Sequence, residues 1–173
     1  MVVGDESGCD LRPGRVRTYA PCGPTPVRRW PSTRDHVSVM SGLPMDGRLY
    51  TPVRDAALDR LDRVLLLRHL VPHVSATWLV IWEGSPIHQG EVRTCLADGG
   101  AKPIHVEQLP PDAPDLNPGA GVWQYLTQGE RRHLCCRNLV HLRRELDLAM
   151  KRLRRKPHLV TACFAGAGLP IET

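Results

Sequence analysis

Trp78-Leu79-Val80-Ile81-Trp82 is an uninterrupted apolar run, closed by Glu83-Gly84. Two of its residues are β-branched and two are aromatic, the composition of a strand. A strand with one wet face alternates apolar and polar residues. A short run without alternation marks a central strand covered on both faces, in a sheet with parallel neighbours and helices packed against it.

The flanking residues supply those helices. Before the run, Ala57, Leu58, Leu61, Val64, Leu65 and Leu70 recur at helical spacing from Asp55 onward, and Pro72 ends the pattern. After it, Ile87 to Ala97 reads as a helix closed by Asp98-Gly99-Gly100, and Ile104-His105-Val106-Glu107 as a short strand. Strands joined through helices pair in parallel. Towards the start the pieces differ: Met1-Val2-Val3 runs into Gly4-Asp5-Glu6-Ser7, and further strands read over Arg15 to Tyr19, Val27 to Trp30 and His36 to Ser41. The turn Pro44-Met45-Asp46-Gly47 leads to another at Arg48 to Val53. Short turns between strands predict antiparallel pairing.

Beyond the last strand, Leu109 to Pro118 is a proline-rich loop, and Asn117-Pro118 has the form of a helix N-cap with proline at the first helical position. The helix it opens carries Val122, Trp123, Tyr125 and Leu126. Farther on, Leu139, Leu142, Leu146, Ala149 or Met150, and Leu153 form an apolar stripe, with Arg144, Lys151, Arg152 and Arg155 largely off it. Pro157 stops that helix and a short apolar tail follows. The expected architecture is α/β: a mixed sheet with helices on both faces, of ribonuclease-H-like type. It occupies residues 1–130, and a basic helical C-terminal extension, 131–173, packs on it.

A chain of 173 residues can bury one proper core and is short for two. Hydrophobic residues at 42% and charged residues at 24% exclude a disordered chain. No apolar run approaches the ~20 residues that cross a bilayer. Met1 is followed by no charged-then-apolar leader, so a cytoplasmic protein without a membrane partner is expected. Fifteen glycines and sixteen prolines imply many short elements and argue against a simple helical bundle. The net charge of +5 is unevenly spread. Residues 131–156 hold ten Lys or Arg against Glu145 and Asp147, whereas residues 1–130 hold thirteen against fifteen acids. The basic excess therefore belongs to one helix behind a slightly acidic body.

The six cysteines, Cys9, Cys22, Cys95, Cys135, Cys136 and Cys163, show neither a C-x-x-C pair nor a disulfide framework. His133, Cys135, Cys136 and His141 lie close enough in sequence for a zinc reading. Adjacent cysteines chelate one tetrahedral ion poorly, however, and a second ligand pair is missing, so buried or half-buried thiols are the expectation.

Asp5-Glu6 at the first strand, Glu83 at the end of the apolar run, and the loop and helix from Pro110 to Trp123 are the places where chemistry could sit. Carboxylates at neighbouring strand ends can share Mg²⁺ ions that stabilise the attacking and leaving oxygens of phosphoryl transfer. Strand-end acids are also common simply because strand ends meet solvent.

The sequence around those acids carries a likeness. Gly4-Asp5-Glu6-Ser7-Gly8, followed by Pro13-Gly14 and Arg17-Thr18-Tyr19-Ala20-Pro21, resembles the start of the catalytic domain of DDE transposases, in the bacterial insertion-sequence branch of the mariner superfamily. Val80-Ile81-Trp82-Glu83-Gly84-Ser85-Pro86-Ile87-His88 resembles the second acidic motif of that branch, and Leu109-Pro110 through Asn117-Pro118 to Gly121-Val122-Trp123 its third. Three pieces in order, from about Val3 to Phe164, make the likeness specific.

The resemblance implies Asp5 and Glu83 as catalytic metal ligands, with Mg²⁺ or Mn²⁺ as cofactor, no small-molecule cofactor, and His88 as a neighbour of the second motif. Glu83 stands where the family has Asp, one methylene longer. Ala120 stands where the family has its third acid, and Gly119 beside it also lacks a carboxylate. Asp115, Asp112, Glu130 and Glu6 are the acids nearest in sequence that could substitute, and none fits well. Glu130 lies ten residues past Ala120, ~15 Å along a helix, and Glu6 points away from Asp5 on a regular strand.

The family's helix-turn-helix DNA-recognition domains precede the catalytic domain, and here Met1 stands four residues before the first acid, so a front-truncated chain is expected. DNA, both element ends and target, is the implied partner, with a homodimer as the assembly and the nucleoid as the site of action. For the basic helix the resemblance favours Arg144, Lys151, Arg152 and Arg155 on the DNA backbone over merely solvated cations. The implied function is metal-dependent DNA cleavage and strand transfer, impaired here by Ala120 and Glu83. The alternative is a non-catalytic DNA-binding relic or partner that keeps the fold.

Overall fold

The computed structural model describes residues 1–11, 19, 22–23, 35–55, 58–73, 78–82, 104–110, 113–131 and 134–169. The strands read over 15–18 and 27–30 and the helix read over 87–97 lie outside the described residues. Five strands, β1 (Val2–Asp10), β2 (His36–Pro44), β3 (Val53–Arg54), β4 (Trp78–Trp82) and β5 (Ile104–Gln108), form one sheet in the order β3-β2-β1-β4-β5. The pairings β1 to β2 and β2 to β3 are antiparallel, whereas β1 to β4 and β4 to β5 are parallel. Parallel neighbours need a crossover rather than a tight turn, and the helix Arg60–Leu70 is part of the chain between β3 and β4.

β1 extends well past Val3, because it pairs with β2 along its whole length from Val2↔Pro44 to Asp10↔His36. Arg48 to Val53 does not form the strand expected of it. Only Val53–Arg54 is paired as a strand, and Tyr50 makes an isolated bridge to Gly42. Pro52 lacks the N–H a ladder needs, although its carbonyl still accepts from Met40 N at 3.1 Å.

Strand side chains alternate between faces, and two buried clusters mark the two sides of the sheet. On one side, Val2, Met40 and Val80 meet Val64, Leu66, Leu67 and Leu70. These four belong to helix α1 (Arg60–Leu70), which ends in a tighter turn at Val71–His73. On the other side, Val3, Val37, Val39 and Leu43 meet α2 (Pro118–Gln124), α3 (Leu139–Arg154) and α4 (Pro157–Gly166) through Val122, Leu142, Leu146 and Phe164. Each such leucine taken from water contributes about 1.5–3 kcal/mol. In β4, Val80 is fully buried while Leu79 keeps 37% of its surface exposed. The α/β class with helices on both faces holds.

Local signals act where the sequence places them. Asn117 caps α2, its side chain accepting from Gly119 N at 2.8 Å, with Pro118 at the first helical position. The backbone then widens into a π-helical segment at Tyr125–Glu130. Asn138 caps α3 by accepting from His141 N at 2.9 Å, and Leu142, Leu146, Ala149, Met150 and Leu153 form its buried stripe. Pro157 ends α3 and also opens α4 as its first residue. No helix among the described residues is long and apolar enough to cross a membrane.

Candidate functional site

Asp5 lies in the middle of β1, on the face that carries Val3 and Cys9, and is 4% exposed. Its Oδ1 accepts from Glu6 N at 2.8 Å, and its carbonyl accepts from the Ser41 hydroxyl of β2 at 3.4 Å. The first turn of α2 rests directly on it. A Cβ built at Gly119 would overlap the Asp5 carboxylate, so only a glycine allows this approach. The structure thus joins two of the three motifs, Asp5 from the first and Gly119-Ala120 from the third. Ala120 is half-buried one residue farther along α2.

Glu83 and His88 lie outside the described residues. Glu83 follows Trp82, the last residue of β4, whose Cα partner in β1 is Gly4, the residue before Asp5. Gly4 in turn has the Trp82 ring packed against it, leaving no room for a Cβ.

Of the acids weighed as substitutes for a carboxylate at Ala120, those among the described residues are engaged elsewhere or face solvent. Glu6 points to the opposite side of the sheet, as alternation requires, where Arg63 of α1 donates to its Oε1 at 2.5 Å. Glu130 accepts from Arg152 at 2.5 Å and from the Tyr125 hydroxyl at 3.3 Å, with Lys156 at 3.6 Å. Burial alone would raise the Glu130 carboxyl, but the hydrogen bond and charge of Arg152, then Tyr125 and Lys156, outweigh it and hold it below its ordinary value. Asp115 sits exposed in the turn Pro114–Leu116, and Asp112 lies outside the described residues.

The described residues alone do not complete a divalent-cation site. Ala120 offers no donor atom, and among the described residues no three of His, Cys, Asp and Glu gather around a common point. Among the described cysteines, Cys9 and Cys136 are buried and Cys135 and Cys163 half-buried, as expected, whereas Cys22 is exposed. Burial raises the Cys9 and Cys136 thiols, against the opposing charge of Arg131. His141 is occupied by Arg137 N at its Nδ1 and by Glu145 beside its Nε2, and His133 lies outside the described residues.

On α3, Arg144, Lys151 and Arg155 are exposed, and no ion pair or side-chain hydrogen bond ties them down among the described residues. Spaced seven and four residues apart, they share one helix face over ~16 Å. Arg152 differs from the expectation set for it, because Glu130 already neutralises it. Sequence reasoning also passed over Arg154, which leaves α3 to reach the sheet edge, its Nε donating to Leu49 O and its Nη2 to Thr51 Oγ1. No periodic signal announces such a reach. Gly119 was legible only as a residue without a carboxylate.

Residues 1–139 match the family described as DDE superfamily endonuclease. No match is found among curated protein sequences. Among solved structures, the chain is similar to a pre-cleavage Mos1 transpososome, with TM-score 0.61 and 17% identity, covering 99% of this chain and 56% of that one. It is likewise similar to Mos1 mariner paired-end complexes with Mn (TM-score 0.58, 18% identity) and with Mg (TM-score 0.58, 19% identity), at the same coverages of 99% and 56%. The chain therefore spans little more than half the length of the Mos1 chains it matches. At such identities the likeness speaks for the fold, and it agrees with the ribonuclease-H-like sheet described above. With its matched segment running through all five strands and α2, this chain belongs to the DDE superfamily of endonucleases.

Proposed function

We propose that this chain is a transposase-type catalytic domain, of the bacterial insertion-sequence branch, that engages DNA but is impaired in cutting and joining it. The observation that carries this reading is the seat of α2 on Asp5. The first and third motifs meet as a DDE site requires, yet the position for the third acid is Ala120. Asp5 and Glu83 are the two carboxylates left for Mg²⁺ or Mn²⁺. A cation that needs several oxygen ligands is held poorly by two. Element ends and target DNA are the proposed substrates, a homodimer the proposed assembly, and the bacterial cytoplasm the proposed setting. Residues 1–130 form the catalytic unit, and 131–173 carry the cations that meet the DNA backbone, Arg144, Lys151 and Arg155, with Arg152 joining only if Glu130 releases it.

A second reading, a non-catalytic DNA-binding protein that keeps the fold, is favoured by one observation: Arg144, Lys151 and Arg155 stand without an ion pair among the described residues although the acid set is incomplete. Nicking of element-end DNA in Mg²⁺ or Mn²⁺, by this chain and by Ala120→Glu, separates the two. The expected result is no cutting by the unmodified chain and metal-dependent cutting by Ala120→Glu. Robust cutting by the unmodified chain would overturn the impairment. Cutting by neither, with DNA binding intact in both, would favour the second reading.

A further inference from the structure

At the β3 edge of the sheet, on the far side of β2 from Asp5, lies a groove of about 630 Å³ that the acidic motifs do not touch. Its floor is apolar, formed by Leu49, Leu65 and Leu66, and its rim carries Arg48, Arg54 and Arg154 against one acid, Asp62. Tyr50 lines it, and the tyrosine ring is held in place by two histidines from the end of α1. His73 stacks on it at 5.5 Å and 27°, and His69 meets it edge-on at 5.6 Å. A volume in this range suits a ligand of a few tens of atoms.

The three arginines are not equivalent. Arg48 is paired with Asp46, and Arg54 with Asp62 at 2.7 Å. Arg154 donates only to neutral acceptors, the Leu49 carbonyl and the Thr51 hydroxyl, which flank Tyr50 in sequence. Among the described residues no carboxylate pairs with it. Its guanidinium carries five N–H donors, of which these two bonds use two. A charge of fixed orientation therefore lines the same groove as a pre-positioned aromatic ring and apolar side chains.

We propose that this groove binds one unpaired nucleotide, its base packed against Tyr50 and the leucine floor and its phosphate held by Arg154, with Arg54 beside it. Guanidinium forks match phosphate oxygens, and a fixed aromatic ring gives a stacking platform indifferent to which base arrives. An acidic peptide would satisfy the arginines but would leave the ring face opposite His73 without a flat partner. The proposal needs neither the metal ligands nor the free cations Arg144, Lys151 and Arg155. A strand with a base turned out of its stack and a free nucleoside monophosphate present the same chemistry to the groove.

The test uses the full chain, a short fluorescein-labelled thymidine strand, and three competitors: thymidine monophosphate, duplex DNA and polyglutamate. The labelled strand is expected to bind and Tyr50→Leu to weaken it by about tenfold, with duplex affinity unchanged. Displacement by thymidine monophosphate identifies a mononucleotide site, and displacement only by unlabelled strand identifies an unstacked base within DNA. Replacing Arg144, Lys151 and Arg155 by alanine is expected to do the reverse, weakening the duplex and sparing the monophosphate, so failure of the α3 reading is distinguishable from failure of this one. Photo-crosslinking of a 5-iododeoxyuridine strand to the unmodified chain gives a readout that no variant's folding can disturb. Crosslinks within residues 48–54 are expected. Crosslinks confined to α3, an unchanged affinity in a folded Tyr50→Leu, or displacement by polyglutamate but not by nucleotides, would overturn the proposal.

Discussion

Gly119 is a position where one methyl group decides whether two motifs can touch. A Cβ there would meet the Asp5 carboxylate and its Cβ, both in a buried strand that cannot yield. Gly8, on the same strand as Asp5, has open space where its Cβ would be. Gly119→Ala is therefore expected to cost about 1–3 kcal/mol through overpacking, and Gly8→Ala to cost little, as read from urea unfolding midpoints of the two variants. Equal midpoints would show that α2 can lift off Asp5 freely. The separation of Asp5 from Glu6 was legible from strand parity alone, whereas Asp5 as the first acid was read from the family resemblance. The contact with Gly119 was not, because it joins residues more than a hundred positions apart and leaves no local pattern.

Among the elements, the π-helical segment Tyr125–Glu130 and helix α3 are tied by Glu130, which holds Arg152 and faces Lys156 and Tyr125. Its carboxyl lies below its ordinary value, so the folded state binds that proton less readily than the unfolded chain does. The sign follows: the contribution is complete above the unfolded pKa of roughly 4.3 and is lost as pH falls through the lower, folded value. Glu130→Gln should accordingly lower stability near neutral pH and flatten the acid limb of the unfolding curve. Parallel acid limbs in the two proteins would show that the tie contributes nothing. The stripe of α3 and the Asn117 cap were readable in advance because they depend on neighbours two to four residues away, whereas the Asn138 cap went unread. The π-helical widening and the pairing of Arg152 were not, since both depend on what α3 meets when it packs back on the sheet.

For the molecule as a whole, the charge reading becomes a measurable slope. If Arg144, Lys151 and Arg155 each neutralise one phosphate, the logarithm of duplex affinity falls with the logarithm of salt by about 0.9 per contact. Replacing all three by alanine should reduce that slope by roughly three. An unchanged slope would place the DNA on another surface. Sequence alone determined the α/β class, the mixed pairing, the two-sided packing and the family, because periodicity, turns, caps and the three motifs are local properties of the chain. It also places Ala120 where the family resemblance expects the third acid. Tertiary structure decided the rest: which of Arg144, Lys151, Arg152 and Arg155 remain free, which spare acids are already paired, and how Arg154 and Tyr50 come to share a groove. Those outcomes hang on distances between segments far apart in sequence, and burial and charge pairing are settled only when the sheet brings them together.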